Sequence, residues 1–125
     1  KTPSWLELFN QTNQIVDFLE LSSCFVSCSI YETFSNAIAE ATIAGIPVVQ
    51  SDIAGTLWNA ENPSTFMFKS KDVSSLTTAL LSVMNDNKSE LLRKCIITQK
   101  RNLVAYDLNN WCVKVNDFYF KIYEA

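Results

Sequence analysis

The sequence predicts an α/β fold in which a parallel sheet is covered by helices on both faces. Three observations carry this expectation. Short apolar runs, Cys24-Phe25-Val26-Ser27-Cys28, Ile46-Pro47-Val48-Val49 and Phe66-Met67-Phe68, have the length and the β-branched and aromatic content of buried strands. The segments between and after them space their apolar residues as helices do. The connections stay mostly short through residue 85, as right-handed βαβ crossovers require. With 125 residues, 48% of them hydrophobic and 18% charged, the chain suits a single domain with one continuous core.

Each element follows from its residues. Trp5-Leu6-Glu7-Leu8-Phe9 alternates weakly and is expected to form a short strand. Thr12 or Asn13 is placed to cap a helix carrying Ile15, Phe18, Leu19 and Leu21 on one side. After the Cys24–Cys28 run, residues 29–34 are too polar and irregular for strand or helix. Residues 35–44, rich in Ala and Ile, read as a helix stopped by Gly45. Pro47 is acceptable only at the start of the next strand. Residues 51–65, holding Gly55, Trp58 and Pro63, read as a longer connection. Asp72 then caps a helix whose Val73, Leu76, Leu80 and Val83 step at helical spacing. Two more helices follow, over residues 89–104 and from residue 110 to the end, the last with Trp111, Val115, Phe118 and Ile122 on a stripe.

Composition removes several classes of function. Ten Lys and Arg against thirteen Asp and Glu give a net charge of −3, which supplies no long-range attraction to nucleic acid or anionic lipid. The absence of histidine excludes a Ser-His-Asp triad, a Cys-His dyad and a histidine metal site within the chain. The four cysteines, Cys24, Cys28, Cys95 and Cys112, contain no CxxC pair and are expected to be buried, inert thiols, with no metal bound. On one strand Cys24 and Cys28 would stand about 13 Å apart, too far to bridge. No leader-like or membrane-spanning run occurs, so a cytoplasmic location is expected, with membrane contact at most peripheral. Lys88, Arg93, Lys94, Lys100 and Arg101 give the penultimate helix a basic tendency that reads as a solvated face or as the means of such contact. Opening on Lys-Thr-Pro-Ser without Met, the chain is expected to be part of a longer protein. Trp5 and Trp111 are expected to pack in a core or interface, whereas Trp58 lies on the loop at the expected ligand end and could stack on a ligand.

In an open α/β sheet a ligand sits beyond the carboxyl ends of the strands, which here directs attention to the segments after Cys28 and Val49. Glu32 lies in the first loop and Glu40 eight positions on, so both carboxylates project to a similar side, at most about 12 Å apart if the whole stretch were helical. Carboxylates accept hydrogen bonds from paired hydroxyls, and the helix start near Ser35 between them favours a phosphate. That geometry suits a ligand of the form sugar, diphosphate, nucleoside. Two glutamates at helical spacing also fit a solvated helix face.

The surrounding string narrows the choice. Residues 29–55, Ser-Ile-Tyr-Glu-Thr-Phe-Ser-Asn-Ala-Ile-Ala-Glu-Ala-Thr-Ile-Ala-Gly-Ile-Pro-Val-Val-Gln-Ser-Asp-Ile-Ala-Gly, resemble the donor-binding stretch of the retaining GT-B glycosyltransferases of family 4, or group 1 type. The shared features are a Ser shortly before Glu, a Glu-Gly-Phe-Gly-like turn, a second Glu after seven intervening residues, Ala-Gly-x-Pro-Val-Val, and a Gly-Gly-like turn. A looser resemblance extends over residues 6–123. It implies a Rossmann-like parallel sheet with flanking helices, residues 1–125 forming part of a carboxy-terminal nucleotide-sugar-binding domain.

By the same resemblance, Glu32 is the catalytic residue expected at the transferred sugar, and the backbone amides of Thr33, Phe34, Ser35 and Asn36 line the sugar and distal phosphate. Glu40 is expected to hold the ribose. The implied reaction is hexosyl transfer, with retention, from a nucleoside diphosphate sugar to a carbohydrate, lipid-linked or protein-linked hydroxyl. It is expected to need no cofactor or divalent metal beyond the donor itself. An amino-terminal domain outside this sequence would bind the acceptor, and an arginine and a lysine from earlier in the same domain would neutralise the diphosphate. Thr33 and Ser35 stand where the family has glycines, Ala54 replaces the first glycine of the later turn, and no basic residue lies between Lys1 and Lys69. These departures also fit a non-catalytic α/β binding or assembly module derived from such a domain.

Overall fold

The computed structural model describes residues 3–10, 12 and 14–123, and its elements alternate as α/β. In order they are helix α1 (Ile15–Leu21), strand β1 (Phe25–Ser27), α2 (Asn36–Ile43), β2 (Val48–Ser51), a 3₁₀ helix (Ala54–Asn59), β3 (Thr65–Phe68), α3 (Val73–Asn85), α4 (Lys88–Ala105) and α5 (Leu108–Tyr123). The strands pair in parallel in the order β1-β2-β3, with Val26 opposite Val49 and Val49 opposite Phe66. Successive side chains of a strand point to opposite faces, and β2 divides the core accordingly. Val48 packs with Leu19, Ile38, Ala41 and Ile46 on the side of α1 and α2. Val49 packs with Phe68, Ala79 and Val83 on the side of α3. Every residue of β2 is buried, as befits the central strand.

Local signals set the element ends. At the end of α2, Gly45 has φ +80°, its N–H reaches Thr42 O at 3.1 Å, and the N–H of Ile46 reaches Ala41 O at 3.1 Å. This is a Schellman closure, which needs a left-handed residue after the helix. Asp72 caps α3 by accepting from the N–H of Ser75 at 2.9 Å, and Asn87 caps α4 by accepting from Ser89 and Glu90. α4 then lies against α2, where Asn102 Nδ2 donates to Thr42 Oγ1 at 2.6 Å and Gln99 Nε2 donates to Ile43 O at 2.7 Å. Among the described residues, no helix is long and apolar enough to cross a membrane.

Several expectations need correction. Residues 5–9 form no strand; they are exposed, except that Phe9 sets its ring edge-on to Phe18 at 4.7 Å. A strand exists only by pairing, and this segment makes no ladder with the described sheet. β1 is only partly buried, with Val26 exposed, because it lies at the edge of the described sheet. Gln14, not Thr12, occupies the cap position of α1, although its N–H donates to Thr12 Oγ1; Asn13 lies outside the described residues. Val73 is exposed at the first position of α3, turned away from the Leu76, Leu80 and Val83 face. The connection after β2 contains the 3₁₀ helix. On α5 the stripe exists but only Val115 is half-buried, while Trp111 and Phe118 are exposed and the side chain of Ile122 lies outside the described residues.

Candidate functional site

The carboxyl ends of β1 and β2 are tied together before any ligand is considered. Ser51, the last residue of β2, donates through Oγ to the carbonyl of Ser29 at 2.6 Å. Ser29 in turn donates through Oγ to Glu32 Oε1 at 3.1 Å, which orients the half-buried glutamate. Behind that glutamate lies Gly55. A Cβ there would collide with the carbonyl oxygen of Glu32 and lie 2.5 Å from its carbonyl carbon, so only glycine allows this approach.

The next residues form a turn leading into α2. Thr33 and Phe34 are exposed, Ser35 is buried at the cap position with no side-chain cap bond, and Asn36 opens the helix. Thus Glu32 stands before the helix, not on it. Bonding within α2 starts with the N–H of Ala39 to Ser35 O at 3.2 Å, leaving the amides of Asn36, Ala37 and Ile38 without an intrahelical acceptor. Among the described residues, Lys71 is the one non-glycine residue with positive φ, so Thr33 and Ser35 build the turn from ordinary backbone angles.

Glu40 belongs to a different set of contacts. It is exposed on α2 and lines a groove of about 480 Å³ between α1 and α2, with Ile15, Val16, Leu19 and Glu20 opposite and Ile43 and Ala44 beside it. The structure therefore gathers Glu32 and Phe34 with residues 54–59 at the carboxyl end of the sheet. It gives Glu40 an apolar groove of its own, in which its carboxylate is one of two acidic groups.

A family model, glycosyl transferases group 1, matches residues 6–102, a span that holds the turn, α2 and all three strands. The chain belongs to the group 1 glycosyl transferases. Its parallel sheet with flanking helices is the Rossmann-like arrangement expected of such a domain. The chain is similar to UDP-Gal:alpha-D-GlcNAc-diphosphoundecaprenol alpha-1,3-galactosyltransferase of Escherichia coli, with 31% identity over 90 residues, covering 71% of this chain. It spans only 23% of the length of that curated relative.

Within this glycosyl transferase domain, the 3₁₀ helix is the part sequence reasoning missed. Trp58 stacks on Phe34 with ring centroids 4.8 Å apart and planes inclined by 20°, and Tyr106 presents an edge to both rings. Burial pushes the Tyr106 hydroxyl above the usual phenol range. Trp58 was legible as an aromatic residue at the ligand end, expected on a ligand and found on Phe34, and Gly55 as part of the Gly-Gly-like turn, but Tyr106, at the end of α4, gave no signal at all. Ser29 was legible as the serine that precedes the motif glutamate.

A buried polar network anchors that helix. Gln50 on β2 donates to Thr56 O at 2.7 Å and accepts from Asn59 Nδ2 at 2.8 Å. Asn59 also donates to Thr65 Oγ1 and accepts from Asn62 Nδ2 at 2.7 Å. Thr56 Oγ1 donates to Ser51 O at 2.6 Å. Because the buried side chains of Gln50, Thr56 and Asn59 all find partners, the segment is fixed to the sheet despite its irregular backbone.

The remaining candidate side chains sort by exposure. Cys95 is buried and Cys24 half-buried, with both thiols pushed up by burial, but Cys28 and Cys112 are exposed, against expectation. Cys28 falls just past the end of β1, and Cys112 sits on the little-covered α5. Trp5 and Trp111 are exposed, so neither takes the core position that was one of the two expected for them. On α4, Arg93 pairs with Glu90 and Lys94 with Asp86, so part of its basic character is locally compensated. Among the described residues, no three His, Cys, Asp or Glu side chains gather as metal ligands would.

Proposed function

We propose that this domain binds the donor of a hexosyl transfer, a nucleoside diphosphate sugar, and that the longer protein passes the sugar, with retention, to a hydroxyl acceptor. The observation that carries the reading is the placement of the family's turn. Glu32 to Asn36 runs from the carboxyl end of β1 into the amino end of α2, the ligand end of an open α/β sheet. Glu32, oriented by Ser29, meets the hydroxyls of the transferred sugar. The amides of residues 33–36 face the sugar and distal phosphate, where the dipole of α2 favours negative charge. Glu40 accepts the ribose hydroxyls at the rim of the α1/α2 groove, whose apolar wall suits the flat face of a base.

In the transfer, the bond between the anomeric carbon and the diphosphate oxygen breaks on the face where the acceptor oxygen bonds, and the acceptor proton passes to the departing phosphate. The similar relative is named for UDP-Gal and a diphosphoundecaprenol-linked GlcNAc, so these are the first donor and acceptor to try. The stretch that carries the turn has no arginine or lysine of its own between Lys1 and Lys69. The countercharge for the diphosphate is therefore assigned to residues before this stretch, and acceptor binding to another domain of the longer protein.

The test is titration and turnover of the complete protein with UDP, GDP and ADP sugars. Glu40→Gln is expected to lose donor binding. Glu32→Gln is expected to keep binding but lose turnover by 10²-fold or more, on the order of an electrostatic contact made in the transition state. Unchanged binding and turnover in both variants would remove the assignments. A complete protein that binds donor but never transfers would establish instead the non-catalytic module that the substituted glycines allow.

A further inference from the structure

We propose that Trp58 is a positioning residue for this transfer: its indole, stacked on Phe34, holds the donor turn of residues 32–36 in its binding form. The inference rests on the reading of that turn as a donor site. It starts from what the turn lacks. Thr33 and Ser35 stand in for glycines and adopt ordinary φ values, so no left-handed residue locks the backbone. Ser35 makes no side-chain cap bond either. A polar turn without these local locks samples many conformations unless contacts from elsewhere restrict it.

Those contacts come from the 3₁₀ helix. Gly55 backs against the Glu32 carbonyl at one end of the turn, and Trp58 stacks on Phe34 at 4.8 Å at the other. The indole has a rigid base, because its neighbours Thr56 and Asn59 are fully buried and bonded to Gln50 of the central strand. Tyr106 holds both rings edge-on, at 5.8 Å from Phe34 and 5.7 Å from Trp58. Phe34 covers one face of the indole, Tyr106 meets it edge-on, and the side chain packs on the Leu19, Ile38, Ala41, Ile46 and Val48 cluster, so Trp58 acts on the donor through Phe34 and not by stacking on it. Among the described residues, the indole N–H is buried with no partner. An unpaired buried donor is unfavourable. Phenylalanine keeps a ring against Phe34 without that unpaired donor, so Trp58→Phe isolates the stacking contact from the indole N–H.

The experiment uses the complete protein with Trp58→Ala and Trp58→Phe. Without ligand, hydrogen exchange by mass spectrometry is expected to speed up in the peptide covering residues 29–40 of Trp58→Ala, while peptides of α3 stay as in the parent. Trp58→Phe is expected to restore the parent pattern. With UDP-galactose, or whichever donor sugar the titration selects, Trp58→Ala is expected to raise KM roughly three- to tenfold at nearly unchanged kcat, the size of one lost aromatic pair. Trp58→Phe should stay within twofold of the parent.

Equal exchange of residues 29–40 in Trp58→Ala and parent overturns the proposal. So does faster exchange throughout the chain, which marks a merely structural ring. If the parent binds donor and Glu40→Gln does not, yet Trp58→Ala keeps its KM, the positioning role fails while the donor site stands. If the parent binds no nucleotide sugar, the donor reading fails, and the exchange data still decide whether Trp58 holds the turn.

Discussion

Gly55 sits where the two loops at the carboxyl end of the sheet touch, and no other residue type fits there. An added methyl group would meet backbone atoms of Glu32, which cannot swing aside as a long side chain can. Gly55→Ala is expected to destabilise the domain by about 1–3 kcal/mol, the range for forced overpacking, and to weaken donor binding by displacing Glu32. Thermal unfolding together with nucleotide-sugar titration checks both effects. Gly45 differs in kind: a Cβ there would make ordinary contact with Gln99, so its constraint lies in φ and not in space. The sequence announced Gly45 through the helix it ends. It could not announce the collision at Gly55, because Glu32 lies 23 positions away in the chain.

At the scale of the element, the segment joining β2 and β3 is held by buried amide side chains together with one aromatic contact, Trp58, on the core cluster of Leu19, Ile38, Ala41, Ile46 and Val48. Asn59 is fully buried and bonds Gln50, Thr65 and Asn62. Replacing it with alanine leaves several buried groups unpaired, and each costs about 1–3 kcal/mol. Asn59→Ala is therefore expected to lower stability at the upper end of that range, read as a shift in the denaturation midpoint with an unchanged slope. Helices α2, α3 and α4 were legible because their apolar spacing and caps are local. The 3₁₀ helix was not, since its stabilising partners lie on β2, β3 and α4.

For the whole molecule, the two sheet faces and α4 decide which thiols are shielded. Cys95 is buried and Cys24 half-buried, whereas Cys28 and Cys112 are exposed. A thiol-labelling reagent is expected to modify Cys28 and Cys112 rapidly in the native protein, half-buried Cys24 more slowly and Cys95 only on unfolding, as mass spectrometry of labelled peptides can show. Burial raises the folded-state values of Cys24 and Cys95. The folded protein thus keeps those protons longer than the unfolded chain does. Their contribution to stability is full below the unfolded thiol value, about 8.5, and is lost as pH rises above it. A denaturation series from pH 7 to 10 should show stability falling at the alkaline end, less steeply in Cys95→Ala. α5 stands apart, since most of its large apolar side chains are exposed and its stripe was legible without its burial.

The sequence by itself determined the α/β class, the order of the helices and strands from β1 onward, the closure at Gly45 and the family. Those properties rest on periodicity, caps and an ordered motif, all encoded within a few turns of chain. Only the tertiary structure decided that residues 5–9 stay unpaired, that Gly55 and Trp58 support the turn, and that Glu40 opens on a groove of its own. Pairing, close approach and aromatic stacking join residues distant along the chain, and no local pattern of side chains specifies which surfaces will meet.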